Sequence, residues 1–136
     1  MGHWEERDHT ADLALHVWGE DLPDLFAAAA KGMASLLVDL AQVPTTQRES
    51  VVLAAPDVET LLVDWLNELL YLGEMGETLS AYVAFEFQVL TPTSLEAVIY
   101  GGPVAGYREG IKAATFHNLA VRRTAEGYET EIVFDT

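Results

Sequence analysis

Residues 83–99 read VAFEFQVLTPTSLEAVI, and this stretch decides the fold class. Val83, Phe85, Phe87 and Val89 alternate with Ala84, Glu86 and Gln88, the period of two expected of a strand with one buried face. Residues 91–94 carry the Thr-Pro-Thr-Ser composition of a turn. Leu95, Ala97 and Ile99 then resume the alternation. Two strands this close in sequence pair as an antiparallel hairpin. Downstream, residues 114–123 and 128–134 predict a second hairpin across Glu126-Gly127. Upstream, Val51 and Leu53 predict a short strand. Leu13, Leu15 and Val17, alternating with Ala14, His16 and Trp18, predict another.

Between these strands the period changes from 2 to 3.6. Leu22, Leu25, Phe26, Ala29, Met33, Leu36, Leu37 and Leu40 keep one helical face. Asp21 is placed to cap that helix, Pro23 and Asp24 suit its first turn, and Pro44 lies beyond its end. A second helix follows Pro56 with Asp57 as its cap. Its apolar face is Leu61, Leu62, Trp65, Leu66, Leu69 and Leu72, and Gly73 and Gly76 read as stop signals. The order is strand, helix, strand, helix and two hairpins, with room for one more strand ahead of the first helix. Adjacent strands favour antiparallel pairing, so the expected class is α+β: mostly antiparallel sheet with two amphipathic helices packed on one face. The glycine-rich stretch 101–110 is the longest break in pattern and a candidate functional loop.

The chain has 136 residues, the size of one domain spanning 1–136, and 50% of them are apolar. It has no cysteine, which excludes disulfides and thiol chemistry and fits a reducing, cytoplasmic setting. No signal peptide and no membrane-spanning stretch is expected. Seven Lys and Arg face 22 Asp and Glu, a formal net charge of −15. Such a surface repels phosphate backbones and argues against stable direct nucleic-acid binding. It favours divalent cations or a basic protein partner.

Three clusters could carry chemistry. Asp8-His9-Thr10-Ala11-Asp12 gathers two carboxylates, an imidazole and a hydroxyl ahead of the first strand. Oxygen-rich sets of this kind suit Mg²⁺, Ca²⁺ or Mn²⁺, though such turns also satisfy their own backbone. The end of the chain, Ile132-Val133-Phe134-Asp135-Thr136, turns Asp135 away from the core face by strand parity; a carboxylate at Thr136 would add to it. Lys112-Ala113-Ala114-Thr115-Phe116-His117 follows the glycine-rich stretch. Lys112 could meet phosphate or a partner carboxylate, or simply snorkel along the surface. His117 could ligate metal, carry a proton, or bond to backbone. Nucleotide-binding glycine loops, a nucleophile elbow and a zinc-protease helix are all absent from the sequence.

These clusters, in this order, resemble the archease family. The His-Thr-Ala-Asp element is the most specific, followed by the Lys-Ala-x-Thr-Phe-His element, and the resemblance runs over essentially the whole chain. It implies an archease-like α+β fold. It also implies a protein cofactor, not an enzyme, that activates an RtcB-type RNA ligase of tRNA splicing and RNA repair. Archeases promote guanylylation of the ligase's active-site histidine, allow multiple turnover and widen nucleotide use beyond GTP. The resemblance further implies a divalent ion, calcium, magnesium or manganese, held by Asp12, Asp135 and Thr136. The family usually carries an aliphatic residue where Thr136 stands, so a backbone or terminal oxygen is the implied ligand there. Lys112 and His9 are the implied ligase-activating residues. Two competing readings are a chaperone-like binding module and a small metal-dependent phosphoester hydrolase using Asp12, Asp135 and His117.

Overall fold

A computed structural model of the chain describes residues 2–7 and 13–136. The described strands are β1 (His3–Arg7), β2 (Leu13–Gly19), β3 (Gln47–Ala54), β4 (Ser80–Leu90), β5 (Ser94–Pro103), β6 (Ala113–Ala114), β7 (Arg122–Thr124) and β8 (Gly127–Asp135). Helix α1 spans Leu22–Leu37 and α2 spans Val58–Glu74. All pairings among these strands are antiparallel. One sheet has the order β1-β2-β8-β6, with β7 also paired to β8; the other has the order β3-β5-β4. The class is α+β, as the periodicity predicts.

Local chemistry explains the helix starts. The Asp21 carboxylate accepts from the Asp24 N–H at 2.9 Å, and Asp57 accepts from the Thr60 N–H at 2.7 Å. The Thr60 side-chain and backbone hydrogen bonds hold the Asp57 carboxyl below its ordinary value. The apolar faces then go inward. Leu25, Phe26 and Ala29 of α1 and Leu61, Leu62, Trp65 and Leu66 of α2 are fully buried. They pack with Leu15 and Val17 of β2, Leu95 and Ile99 of β5, and Ile132 and Phe134 of β8 in one cluster. The Trp65 ring meets Phe85 edge-on at 5.6 Å and Phe87 at 5.3 Å, while its Nε1–H donates to the Phe26 carbonyl. This one side chain thus ties α2 to both β4 and α1 with its polar atom satisfied.

Four boundaries differ from the sequence reading. Helix α1 ends at Leu37, and Leu40 belongs to a separate 3-10 turn in which Asp39 accepts from the Ala41 N–H. Gly73 does not stop α2. It lies inside the last turn, where a Cβ would stand 2.6 Å from the Ser80 carbonyl and 2.7 Å from the Tyr107 hydroxyl, so its role is close approach. Gly101 and Gly102 are buried residues of β5, which shortens the open connection to the residues after Pro103. The expected strand over 114–123 is two short pieces, β6 and β7, both paired to β8.

Candidate functional site at one end of the five-stranded sheet

Strand register brings three strand ends together. Leu13, the first residue of β2, pairs with Phe134, and Ala113 of β6 pairs with Asp135. The start of β2, the end of β8 and the start of β6 therefore share one end of the sheet. The Lys112 N–H donates to the Asp135 carbonyl at 2.8 Å, which sets Lys112 directly beside that residue. Parity works as the sequence implies: Ile132 and Phe134 are fully buried, whereas Asp135, Thr136 and Lys112 are exposed. Val133, on the outward face, is nonetheless only 4% exposed.

The Lys112–His117 segment is held by a set of bonds that periodicity cannot reveal. Asn67 of α2 clamps Ala114 in both directions: its Oδ1 accepts the Ala114 N–H at 2.7 Å and its Nδ2 donates to the Ala114 carbonyl at 3.3 Å. Thr115 donates to the Val133 carbonyl from its N–H at 3.0 Å and from its hydroxyl at 2.9 Å. A turn closed by the Leu119 N–H on the Phe116 carbonyl follows, with Asn118 at φ 51 in the left-handed region that asparagine tolerates. Further along, Glu59 of α2 accepts the Val121 N–H at 3.0 Å, and the Thr130 hydroxyl donates to the Ala120 carbonyl at 2.9 Å. A segment with four residues of strand between Lys112 and Thr124 is thereby fixed on both flanks.

The segment runs antiparallel to β8, so it carries His117 away from Asp135. His117 lines a shallow cleft of about 200 Å³ with Asn118, Arg122, Glu131 and Val133. The structure thus joins Lys112 to the Asp135 end and separates His117 from it. His9 and Asp12 lie outside the described residues. Among the described residues, no group of three or more His, Cys, Asp or Glu could hold a metal ion. The described donors at this end are oxygens, on Asp135 and Thr136, which suits a hard cation such as calcium, magnesium or manganese. Asn67, Glu59 and Thr130 are the positioning residues that sequence reasoning missed. Only the placement of Asn67 amid a leucine-rich helical stretch hints at a role.

The model of the Archease protein family matches residues 4–136. The chain belongs to the archease family. It is 34% identical to the protein archease of Methanosarcina mazei, with 97% of this chain and 94% of that protein covered. It is 32% identical to the protein archease of Methanopyrus kandleri, with 97% and 98% covered. The fold is similar to the solution structure of Methanobacterium thermoautotrophicum protein 1598, with a TM-score of 0.79, 25% identity and 98% of each chain covered. It is also similar to the crystal structure of a Thermotoga maritima archease described as a possible chaperone. That match has a TM-score of 0.71 and 20% identity, with 97% and 96% covered. The archease fold is therefore established for this chain from both sequence and architecture.

Proposed function

We propose that this archease activates an RtcB-type RNA ligase of tRNA splicing or RNA repair, promoting guanylylation of the ligase histidine and repeated turnover, and that it is not itself an enzyme. The observation that supports the reading is that the start of β2, the end of β8 and the start of β6 meet at one end of the sheet, through Leu13↔Phe134, Ala113↔Asp135 and the Lys112 N–H to Asp135 carbonyl bond. In this reading Asp12, the residue before Leu13 in the sequence, and Asp135 contribute the carboxylates of an acidic tip. Two carboxylates at one tip repel each other, and a divalent cation relieves the repulsion. Asp12, Asp135 and Thr136 would hold the ion. When bound, calcium, magnesium or manganese supplies charge neutralisation for phosphate oxygens.

The chain's own residues supply position. Phosphoryl transfer depends mainly on orientation and charge placement, which a partner protein can provide in trans. Lys112 is exposed and its backbone is bonded to Asp135, and in this reading its ammonium meets a phosphate or carboxylate of the ligase as a point charge. His9 is the second ligase-activating residue of this reading. In this reading the tip enters a basic, metal-containing ligase site, while the remaining acidic surface of the chain stays clear of RNA.

The test is substitution at the tip. Asp12→Ala and Asp135→Ala are expected to reduce ligase guanylylation to the level of the ligase alone, with circular dichroism and melting of the variants unchanged. Stimulation that survives both substitutions contradicts the tip reading. A chaperone-like module is the second reading. Val52 is 73% exposed and Phe116 55% exposed, and the Thermotoga archease carries that description. It predicts client binding that is indifferent to chelation of divalent metal.

A further inference from the structure

The outer face of the same sheet carries a second feature that the tip does not use. An open cleft of about 540 Å³ lies over the outer face of β1, β2 and the start of β8. Its lining includes the Trp18 and Tyr128 rings, four carboxylates (Glu5, Glu20, Glu126 and Glu129) and a single guanidinium, Arg7. Glu129 and Asp135 stand six positions apart on β8, about 20 Å at the rise of a strand. The cleft is open to solvent and roomy enough to admit a side chain or a small molecule.

The lining chemistry narrows the occupant. Four carboxylates against two guanidinium groups, Arg7 in the lining and Arg123 at the rim, disfavour nucleotides and nucleic-acid backbone. Among the described residues, no cluster of His, Cys, Asp or Glu could hold a metal ion here. What remains is an organic cation. Trp18 is kept in place by the His3 ring at 5.4 Å and the His16 ring at 5.1 Å. His16 is itself held by the Arg7 guanidinium at its Nδ1 and by Glu129 at its Nε2, 3.3 Å away. The rings are therefore preorganised by neighbours instead of collapsing into the opening. At the rim, the chain's own Arg123 guanidinium sits 5.5 Å from the centre of the Tyr128 ring, so this surface already accepts a guanidinium on an aromatic face. A planar, weakly hydrated fork suits ring faces bordered by carboxylates better than a strongly hydrated ammonium does.

We infer that this cleft is a recognition site for the guanidinium of an arginine side chain presented by a basic protein partner. The site needs neither the tip nor a metal, so tip substitutions and cleft substitutions report on separate claims. The probe is N-acetyl-L-arginine amide, titrated into the full chain while the Trp18 indole N–H is followed by NMR. The expected result is a saturable shift at about 1–10 mM, the range for one side chain without its protein. Trp18→Ala and the isosteric Glu129→Gln should each weaken it about fivefold or more, and Glu77→Gln, outside the cleft, should leave it unchanged. N-acetyl-L-citrulline amide, neutral but the same shape, should give no saturable shift. Absence of saturation with the arginine probe overturns the inference. So does equal response to citrulline or to N-acetyl-L-lysine amide, which would mean generic shape or charge effects.

Discussion

Tyr107 shows how a single side chain couples the glycine-rich connection to the core. Its hydroxyl donates to the Ser80 carbonyl at 2.5 Å against the helical Gly73. Burial, then the charge of Glu74 and the neighbouring Tyr82, pushes its phenol up to about 12. Burial, then Glu49, also raises Tyr82. An ordinary phenol titrates near 10, so as pH rises the unfolded chain releases this proton before the folded chain does. The stabilisation is complete below pH 10 and is lost between about 10 and 12. Thermal melts should therefore show stability falling across that window, with a shallower slope in Tyr107→Phe. An identical slope in both proteins would remove Tyr107 as a cause. The sequence marks the helix caps Asp21 and Asp57 because their partners lie three residues away. It is silent on Tyr107, whose partner is a backbone atom 27 residues distant.

Elements with a strong period are legible and those without are not. Both helices and strands β2, β4, β5 and β8 follow from alternating or 3.6-residue spacing, because each has one face in the core. Strand β6 has two residues and no period to read. It exists because Asn67, 47 residues away, supplies the backbone partners that a neighbouring strand would have supplied. Asn67→Ala leaves the buried Ala114 N–H without its acceptor and should cost about 1–3 kcal/mol in chemical denaturation. Faster hydrogen exchange at Ala114 should accompany it, and ligase stimulation should weaken as Lys112 loses its fixed place. Wild-type exchange at Ala114 in this variant would mean that β8 pairing alone holds the segment. The Lys112–His117 motif is thus legible as a string, but its splitting into a tip residue and a remote histidine required the register.

At the scale of the molecule, one five-stranded sheet carries two features: the end where Asp135 and Lys112 meet, and a cleft of rings and carboxylates around Trp18 on its outer face. The net charge of −15 favours a basic protein surface over RNA as the partner of the proposed function. Among the described residues, no helix is long and apolar enough to cross a membrane. Composition foretells the charge but not its arrangement, since residues 112–123 bring together Lys112, Arg122 and Arg123, three of the seven cations. The central claim is that this protein drives the guanylylation of an RNA ligase. Its most direct test is multiple-turnover guanylylation and ligation by the RtcB-type ligase of the same organism, with and without this protein, in Mn²⁺ or Mg²⁺. A clear rise in guanylylated ligase and in turnovers per ligase is the predicted result. No change with a ligase that is competent for a single turnover would contradict the claim.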